Sequence, residues 1–465
     1  MAKKLWGGRF RKETDVVMER FGSSLPFDRR LYRADIAAGI AHARVLEKGG
    51  YISARERGRI ARALREIEGE IAAGKIDLSG GYEDVHSLIL DQLARKDGAL
   101  AAKLHAGRSR NDLVVLDTRI YLKEELATIG EQIRGLQAAL VEKGDEYADA
   151  IMPGYTHLQH AQPVLVAHHL LAYVEMLERD CRRLEDALGR MDILPAGSAA
   201  LAGSNLKLDQ KLMAELLGFK EVAANSLDAV ADRDFIVESL ADLALVGMHL
   251  SRLSEELVLW SSSEFRFVEL DEAYCTGSSF LPQKKNPDPA ELIRGKTGRL
   301  YGNLQAVLVA LKGLPLAYNR DLQEDKEPLF DSIDTVRESL AVMTGVIATL
   351  RFNRSELAAA VSRGFLAAPD LAEYLVERGV PFGEAHRTVG RLVARALAEG
   401  TAPGEMTLAD LRRFSPAFSE PALELLSPGV SVRRKATIGS TAPVRVRRQL
   451  NRWKKRLGKR MTKSE

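Results

Sequence analysis

Residues 276–288, which read TGSSFLPQKKNPD, form the segment with the highest density of groups that could do chemistry. Lys284 and Asn286 offer a point charge and amide donors, the groups that hold a carboxylate or a developing oxyanion. Gly277 supplies backbone freedom, which favours a tight exposed loop that presents the two serine hydroxyls after it. We call residues 276–288 the signature loop and expect it to bind a negative charge, with an ordinary polar turn as the alternative.

A helix is predicted to begin where this loop ends. Asp288 suits the N-cap, Pro289 the first turn, and Glu291 the closing position of a capping box. Helix N-termini attract anions because their first backbone N–H groups have no partner within the helix. The pattern favours a site for a negatively charged ligand at the junction of loop and helix.

A second polar cluster lies at residues 105–112. Arg108 and Arg110 flank a serine and are followed by Asn111, a set of fork-shaped and amide donors that suits carboxylate recognition. A helix entry capped by Asn111 or Asp112 would explain the same residues, and one segment could do both.

A third cluster, residues 153–163, is bounded by prolines and is rich in threonine, histidine and glutamine. His157 and His160 are both candidates to donate or accept a proton near neutral pH, although a single histidine is more often structural. No spacing of histidine and cysteine resembles a zinc site, so we expect no metal.

These clusters border long helical patterns. Apolar residues recur at steps of three and four in five stretches, which predicts five long helices that pack as a bundle. The stretches are Leu122–Leu140, Leu170–Met191, Ile236–Leu257, Leu300–Leu311 and Leu329–Leu350. The helices that contain two of these stretches are expected to extend beyond them to roughly 30 residues or more, and helices of about 45 to 50 Å are typical of an oligomeric bundle.

Strand signals are scarce, so the predicted fold class is all-α. Paired glycines at 7–8, 49–50 and 80–81 interrupt the N-terminal part, and scattered glycines and prolines interrupt the chain after residue 361. We therefore expect three domains: a small helical domain at 1–111, a central helix bundle at 112–360, and a small helical domain with a basic tail at 361–465.

Composition excludes several classes of protein. The 465 residues contain no apolar run long enough to cross a membrane and no signal-peptide pattern at the N-terminus. Only two cysteines occur, Cys181 and Cys275, and Cys181 falls on an apolar helical stripe, so a cytoplasmic protein without disulfides is expected.

Charge is concentrated at the C-terminal end. Residues 445–463 hold ten Lys or Arg and no acid, which leaves 57 basic and 64 acidic residues elsewhere. Such a tail could bind nucleic acid or anionic lipid. With one aromatic residue and no recognisable binding module, a solvated helix end is favoured, so neither a nucleic acid nor a membrane is expected as a partner.

The signature loop resembles that of the fumarase/aspartase superfamily, which reads Gly-Ser-Ser, two residues, Pro, one residue, Lys, one residue, Asn. The Gln-Lys-Lys-Asn-Pro-Asp form at 283–288 is similar to the argininosuccinate lyase branch. Residues 105–112 and 153–163 match that branch, as do shorter segments from Leu5 to Pro443. These segments are 5–10, 83–86, 225–234, 318–326, 379–386 and 440–443. Phe280-Leu281 stands where the family commonly has Leu-Met, a swap of apolar groups that leaves the polar groups in place.

The resemblance implies a reaction and its residues. Fumarate would be eliminated from argininosuccinate, with Ser278 as base (Ser279 being the neighbouring alternative), and with Lys284 and Asn286 holding the carboxylate beside the acidic carbon. His157 would protonate the leaving guanidino nitrogen, and Glu291 would orient and charge it, unless Glu291 serves only as a helix cap. The resemblance further implies a set of substrate-binding residues: Ser24, Arg110, Asn111, Thr156, Tyr318, Gln323 and Lys326.

The resemblance also implies a homotetramer with a 20-helix core and active sites shared between subunits. Asn111 precedes the first long helix and His157 follows it, so helix rise separates them by about 50 Å within one subunit. We expect His157 and Ser278 of one site to come from different subunits. No glycine-rich phosphate loop or dinucleotide fingerprint occurs, and the elimination needs no electron sink, so no cofactor is expected.

Two other functions compete with this one. A sister lyase acting on malate, aspartate or adenylosuccinate is disfavoured by the sequences at 283–288 and 107–112. A non-catalytic structural protein similar to δ-crystallin is disfavoured because His157, Ser278, Lys284 and Glu291 are all present.

Overall fold

The computed structural model describes residues 12–79 and 81–461. The segment 5–10 quoted above, with its Gly7-Gly8 pair, and Gly80 lie outside the described residues. The fold is 68% helical, which confirms the all-α prediction.

The N-terminal part of the chain forms short and medium helices. These are α1 Val16–Gly22, α2 Leu25–Asp28, α3 Tyr32–Lys48, α4 Ala54–Ala72 and α5 Val85–Leu104, with a 3₁₀ turn at Arg29–Leu31. Ser53 caps α4 in a capping box with Glu56, and the Asp84 carboxylate accepts the Ser87 N–H at the start of α5. Capping side chains of this kind satisfy backbone donors that a helix leaves free and so fix where it starts.

The middle of the chain contains the five predicted long helices, joined by shorter elements. The long helices are α6 Arg110–Glu146, α7 Val166–Met191, α10 Asp234–Ser261, α11 Asp288–Leu311 and α12 Lys326–Thr349. The shorter elements between them, in chain order, are β1 Ile151–Thr156, β2 Gln159–Leu165, β3 Ile193–Leu194, α8 Gln210–Leu217, β4 Glu221–Val222, α9 Ser226–Ala231 and β5 Val268–Glu269. The longest, α6, has 37 residues, and its predicted stripe from Leu122 to Leu140 is buried. The stripe on α11 is less buried, because Leu304 and Leu311 remain half-exposed.

The C-terminal part returns to short helices. In chain order its elements are β6 Arg351–Phe352, α13 Arg354–Ser362, α14 Ala368–Val376, α15 Phe382–Glu399, α16 Leu408–Arg412, α17 Pro421–Glu424, α18 Pro428–Arg434 and α19 Pro443–Met461. Three further 3₁₀ turns lie at Glu272–Tyr274, Arg320–Asp325 and Pro403–Glu405. The core of this part includes Leu371, Leu375, Leu392, Phe418 and Leu425.

The chain divides into two compact units, each assembled from three segments. Unit 1 comprises residues 1–130, 182–245 and 298–336, and unit 2 comprises 131–181, 246–297 and 337–465. The core of unit 1 includes Ala38, Val45, Leu116, Leu194 and Phe219. Each long helix contributes residues to both units.

The basic tail differs from the expected solvated helix end. Trp453 on α19 is 1% exposed, and Arg452 and Arg456 form ion pairs with Glu175 and Glu178 of α7. Apolar residues at steps of three and four bury one face of α19 while the basic residues line its borders. The sequence showed the charge but not the acidic partners on a helix nearly 280 residues earlier.

No helix among the described residues is long and apolar enough to span a bilayer. Cys181 and Cys275 both lie among the described residues and neither is in a disulfide, and Cys181 is buried as expected.

Candidate active site

The residues predicted to act fall into two sets, one in each unit. Unit 1 contains Ser24, Arg110, Asn111, Tyr318, Gln323 and Lys326. Unit 2 contains Thr156, His157, Ser278, Lys284, Asn286 and Glu291. The two sets differ in burial and in hydrogen bonding.

In unit 1, Ser24 is buried just before α2 and its hydroxyl donates to the carboxylate of Asp28. The Ser24 N–H donates to the carbonyl of Glu83 at 2.8 Å, and Asp28 Oδ1 accepts the Val85 N–H at 3.1 Å. Burial, assisted by the nearby Asp84, raises the pKa of Asp28 to about 7, although the Ser24 hydrogen bond and the Lys326 charge act to lower it. The start of α2 is therefore joined to the start of α5 by a carboxyl group that titrates near neutrality.

Arg110, the first residue of α6, lies against the same acidic segment. Its Nη1 is 2.8 Å from Glu83 Oε2, its Nε is 3.0 Å from Asp84 Oδ2, and its Nη2 donates to Ser87 Oγ at 3.1 Å. Burial disfavours the charge on Arg110, but Asp84 and Glu83 outweigh this and raise the pKa of the guanidinium. Arg320 approaches Glu83 from another side, with Nη1 3.0 Å from Oε1.

Lys326 begins α12 and is almost fully buried. Its Nζ is 2.7 Å from Asp325 Oδ1, and the other oxygen of Asp325 accepts the Nε–H of Arg233. All three side chains are at most 3% exposed. Two cations therefore share the buried carboxylate of Asp325, and Lys326 also lies close enough to Asp28 to lower the pKa of that carboxyl group.

The remaining unit 1 candidates are Tyr318 and Gln323, which precede α12 in the chain, and Asn111, the second residue of α6. Tyr318 and Gln323 are half-buried, and burial raises the pKa of the Tyr318 hydroxyl. Asn111 Nδ2 donates to the carbonyl of Ala200 at 3.0 Å. The capping position weighed for Asn111 or Asp112 is occupied by Ser109, whose Oγ accepts the Asn111 N–H at 3.3 Å, while the buried Asp112 carboxylate accepts the Ser109 N–H at 3.1 Å from the first turn.

The two arginines of the 105–112 cluster separate. Arg110 meets Glu83 and Asp84, whereas Arg108 lies near the buried carboxyl groups of Asp35 and Asp117. Of the two arginines that suit carboxylate recognition, one therefore lies with the unit 1 candidates and the other among buried acids.

In unit 2, the 153–163 segment is an antiparallel β-hairpin rather than a loop. Strands β1 and β2 pair from Ile151 with Leu165 to Thr156 with Gln159, and the turn consists of His157 and Leu158. Both turn residues have φ of 56°, the left-handed region that favours glycine or asparagine. A histidine held at the tip in this conformation costs local free energy, which points to a function for it.

The second histidine of this segment has a partner inside the hairpin. Tyr155 Oη lies 3.1 Å from His160 Nε2, and their rings pack edge to face with centroids 5.1 Å apart. His157 is exposed, as is Thr156 beside it. Of the two candidate histidines, His157 is thus the one that is presented to solvent without that tyrosine contact.

Hydrogen bonds join the two ends of the signature loop at Thr276 and Asn286, a junction that we call the neck of the loop. Thr276 and Asn286 exchange two backbone hydrogen bonds of 3.2 and 2.8 Å, and the Thr276 hydroxyl donates to Asp288. Ser278 is half-buried, and its Oγ accepts the N–H of Phe280 at 3.3 Å and of Leu281 at 3.0 Å. Backbone N–H groups aimed at a hydroxyl oxygen stabilise its alkoxide form.

The rest of the loop is open to solvent. Lys284 and Ser279 are exposed, and the Phe280 side chain is 89% exposed. Glu291 is exposed in the first turn of α11, and its N–H donates to the Pro287 carbonyl at 3.2 Å. Because α11 already begins at Asp288, the predicted N-cap at Asp288 is wrong by one residue. Within the described chain, no hydrogen bond joins the signature loop to the hairpin tip.

Sequence reasoning missed several charged residues of unit 1. Asp28, Arg233 and Arg320 were assigned no role, and Glu83 with Asp84 served only as a matching motif. The sequence carried no clear signal for Asp28, since Arg29 and Arg30 follow it directly and only the folded chain buries it. Among the described residues, no group of three or more His, Cys, Asp or Glu is arranged to hold a metal ion.

Comparison with known proteins places this chain in a family. A family model described as lyase matches residues 8–302, and one described as argininosuccinate lyase C-terminal matches residues 365–433. The chain is 53% identical to the argininosuccinate lyase of Symbiobacterium thermophilum, over 96% of this chain and 97% of the relative. It is 52% identical to the argininosuccinate lyase of Moorella thermoacetica, over 97% of each. Among solved structures, an EDDS lyase variant with bound fumarate superposes with a TM-score of 0.83 at 28% identity, covering 93% of this chain and 87% of that one.

Proposed function

This chain belongs to the argininosuccinate lyase family and is a carbon–nitrogen lyase that releases fumarate from argininosuccinate, and we propose that Ser278, Lys284 and His157 carry out the chemistry. The products are arginine and fumarate, so the reaction completes the formation of arginine. The sister-lyase alternative loses its support with this membership, and the structural-protein alternative is disfavoured by the presence of His157, Ser278, Lys284 and Glu291.

The first step removes a proton from the succinyl carbon next to a carboxylate. That carbon is a weak acid unless its carboxylate accepts a second negative charge, so positive groups must be positioned there in advance. Lys284 supplies the positive charge, Asn286 supplies an amide donor to the same carboxylate, and Ser278 takes the proton. The observation that carries this assignment is the pair of backbone N–H donors on Ser278 Oγ, since they favour an alkoxide at a residue that is a poor base in water.

In the second step the bond between the carbon and the guanidino nitrogen breaks, and the nitrogen needs a proton as it leaves. His157 donates this proton from the hairpin tip, and Glu291 orients the imidazole. Acid–base assistance of this kind contributes on the order of 10² to 10⁴ in rate.

Substrate binding is assigned to the unit 1 set with Thr156. Lys326 and Arg110 recognise carboxylates, and Ser24, Asn111, Tyr318 and Gln323 contact the rest of the substrate. The ion pairs at Asp325 support the role of Lys326, because two buried cations, Lys326 and Arg233, share this one carboxylate.

The active enzyme is proposed to be a homotetramer with a 20-helix core and shared active sites. Helix α11 supports self-association, because its side chains Tyr301, Leu308 and Val309 are exposed, and that of Val309 is 64% exposed. Two exposed glycines, Gly298 and Gly302, lie on the same helix. Exposed apolar groups on a long helix favour contact with another helix, and glycine allows a close approach. The division into domains 1–111, 112–360 and 361–465 is kept as a proposal, supported by the separate match of the C-terminal family model.

A cytoplasmic location is proposed as well. It is supported by the two free thiols, which are typical of a reducing compartment. No cofactor or metal is assigned a role in the reaction.

One assay tests the activity. Purified protein is incubated separately with argininosuccinate, malate, aspartate and adenylosuccinate, and fumarate absorbance is followed. We expect fumarate from argininosuccinate alone; turnover of another substrate without turnover of argininosuccinate would overturn the proposal.

A mixing experiment tests the shared site. Inactive His157→Asn and inactive Ser278→Ala proteins are dissociated, combined and reassembled, and part of the activity should return because some sites receive both intact segments. Mass measurement in solution should give a tetramer of the 51.2 kDa chain. Hybrid tetramers that stay inactive at every mixing ratio would rule out a site built from different subunits.

A further inference from the structure

The signature loop is preceded by a tightly held turn. The 3₁₀ turn Glu272–Tyr274 is capped by Asp271, whose Oδ1 accepts the Ala273 N–H at 2.9 Å, and the Tyr274 N–H donates to the Asp271 carbonyl at 2.9 Å. The Tyr274 backbone is therefore fixed two residues before the neck of the loop at Thr276.

The Tyr274 side chain lies directly on the backbone of α12. A Cβ atom added to Gly345 would be 1.9 Å from the Tyr274 hydroxyl oxygen and 2.4 Å from Cζ, far inside any contact that real side chains make. Only glycine at position 345 therefore allows the tyrosine to reach this place. The close approach is specific, since a Cβ added to Gly390 in the middle of α15 would have no atom within 4 Å.

A second attachment ties the same segment to the end of α12. Strand β5 pairs antiparallel with β6, with Val268 opposite Phe352 and Glu269 opposite Arg351. Because β6 follows α12 almost immediately, residues 268–274 are held to the C-terminal end of this helix at both their ends. The free part of the loop starts only after these two attachments and the neck.

We propose that Tyr274 and Gly345 are positioning residues for the signature loop. They fix residues 268–274, which we call the root of the loop, and thereby the placement of Ser278 and Lys284. This inference rests on the proposed catalytic role of that loop. The loop itself is exposed, so its geometry depends on its anchors more than on packing of its own side chains. Displacing the root by about 1 Å is enough to cost up to roughly 10² in rate.

The test compares Gly345→Ala, Tyr274→Ala and the double variant with wild type. Each single variant should lower kcat roughly tenfold to a hundredfold with a smaller change in KM, because the chemistry is misplaced while the unit 1 binding set is untouched. The double variant should be no worse than the worse single variant, because both substitutions remove the same contact. Gly390→Ala is the matched control, a helical glycine in the same unit with open space around it.

Limited trypsin cleavage after Lys284 and Lys285, followed by mass spectrometry, gives a second readout that needs no activity. Both lysines are exposed, and cleavage there should become several-fold faster when the root is released. Kinetics and cleavage in Gly345→Ala and Tyr274→Ala that match Gly390→Ala would overturn the inference, as would a loss of kcat without faster cleavage. Wild-type turnover and Ser278→Ala test the proposed function separately, so a failure of either idea is recognisable.

Discussion

The two sets of candidate residues are built in opposite ways. In unit 1 the Lys326 side chain is 2% exposed and shares a carboxylate with Arg233, whereas in unit 2 the signature loop presents Lys284 to solvent next to a Phe280 that is 89% exposed. Buried charges need partners in the folded chain, so the unit 1 set is held rigidly by its own ion pairs. Exposed groups need no such partners. We therefore expect substitutions in the unit 1 set to disturb folding and binding together. Substitutions in the hairpin tip and the signature loop of unit 2 should disturb chemistry alone.

The largest effect that would sharpen this comparison is expected at Ser278. Ser278→Ala should lower kcat by on the order of 10² to 10⁴, since a base is lost, without changing the thermal unfolding midpoint. Steady-state kinetics and circular dichroism measure the two quantities. Ser279→Ala is the control and should stay close to wild type; the reverse ranking would assign the base to Ser279.

Asp325 gives the corresponding expectation for unit 1. Asp325→Ala leaves the buried cations Arg233 and Lys326 without their shared carboxylate and should lower the free energy of unfolding by about 3 to 5 kcal/mol. Urea denaturation at fixed protein concentration checks this. Asp321→Ala, an exposed acid in the same 3₁₀ turn, should stay within about 0.5 kcal/mol of wild type. Equal costs for the two variants would break the contrast between the units.

Trp453 tests whether the rest of unit 2, apart from the segments proposed to be catalytic, is stabilised by packing. The side chain is buried, and its Nε1–H donates to Glu175 at 3.0 Å, so Trp453→Ala should cost about 3 kcal/mol of unfolding free energy. Truncation after Asn451 should destabilise the chain for the same reason. Lys455→Ala on the exposed face is the control. A Trp453→Ala protein as stable as the control would restore the expectation of a solvated tail.

The most gradual expected effect is the pH dependence set by Asp28. Burial raises its pKa from 3.8 to about 7, so the folded state binds more protons than the unfolded state between these values. Stability from this group is therefore highest below about pH 4, falls by up to about 1.4 kcal/mol per pH unit as pH rises toward 7, and is then constant.

Asp28→Asn removes this titration and keeps an oxygen that can accept the Val85 N–H. Denaturation at several pH values should show the stability of the Asp28→Asn variant rising relative to wild type from pH 4 to 7. Parallel curves over that range would mean that Asp28 is charged throughout.

Much of the fold could be predicted because helical periodicity is local. The stripe from Leu122 to Leu140 predicted a buried face, and α6 buries it. The hairpin was missed because its turn residues, His157 and Leu158, lack the glycine or asparagine that usually marks such a turn. The prediction of a solvated helix end for the basic tail was wrong because the acids that pair with it, such as Glu178, lie in a distant part of the chain.

By itself, the sequence determined the five long helices, the proposed chemistry of the signature loop and the family resemblance, since each depends on residue types at short spacings. Tertiary structure alone decided that Lys326 is buried, that Arg108 and Arg110 face different acids, and that Tyr274 rests on Gly345. The physical reason is that burial, charge pairing and close backbone approach depend on residues brought together by folding. Arg233 and Asp325, for example, are 92 positions apart in the chain and share a hydrogen bond.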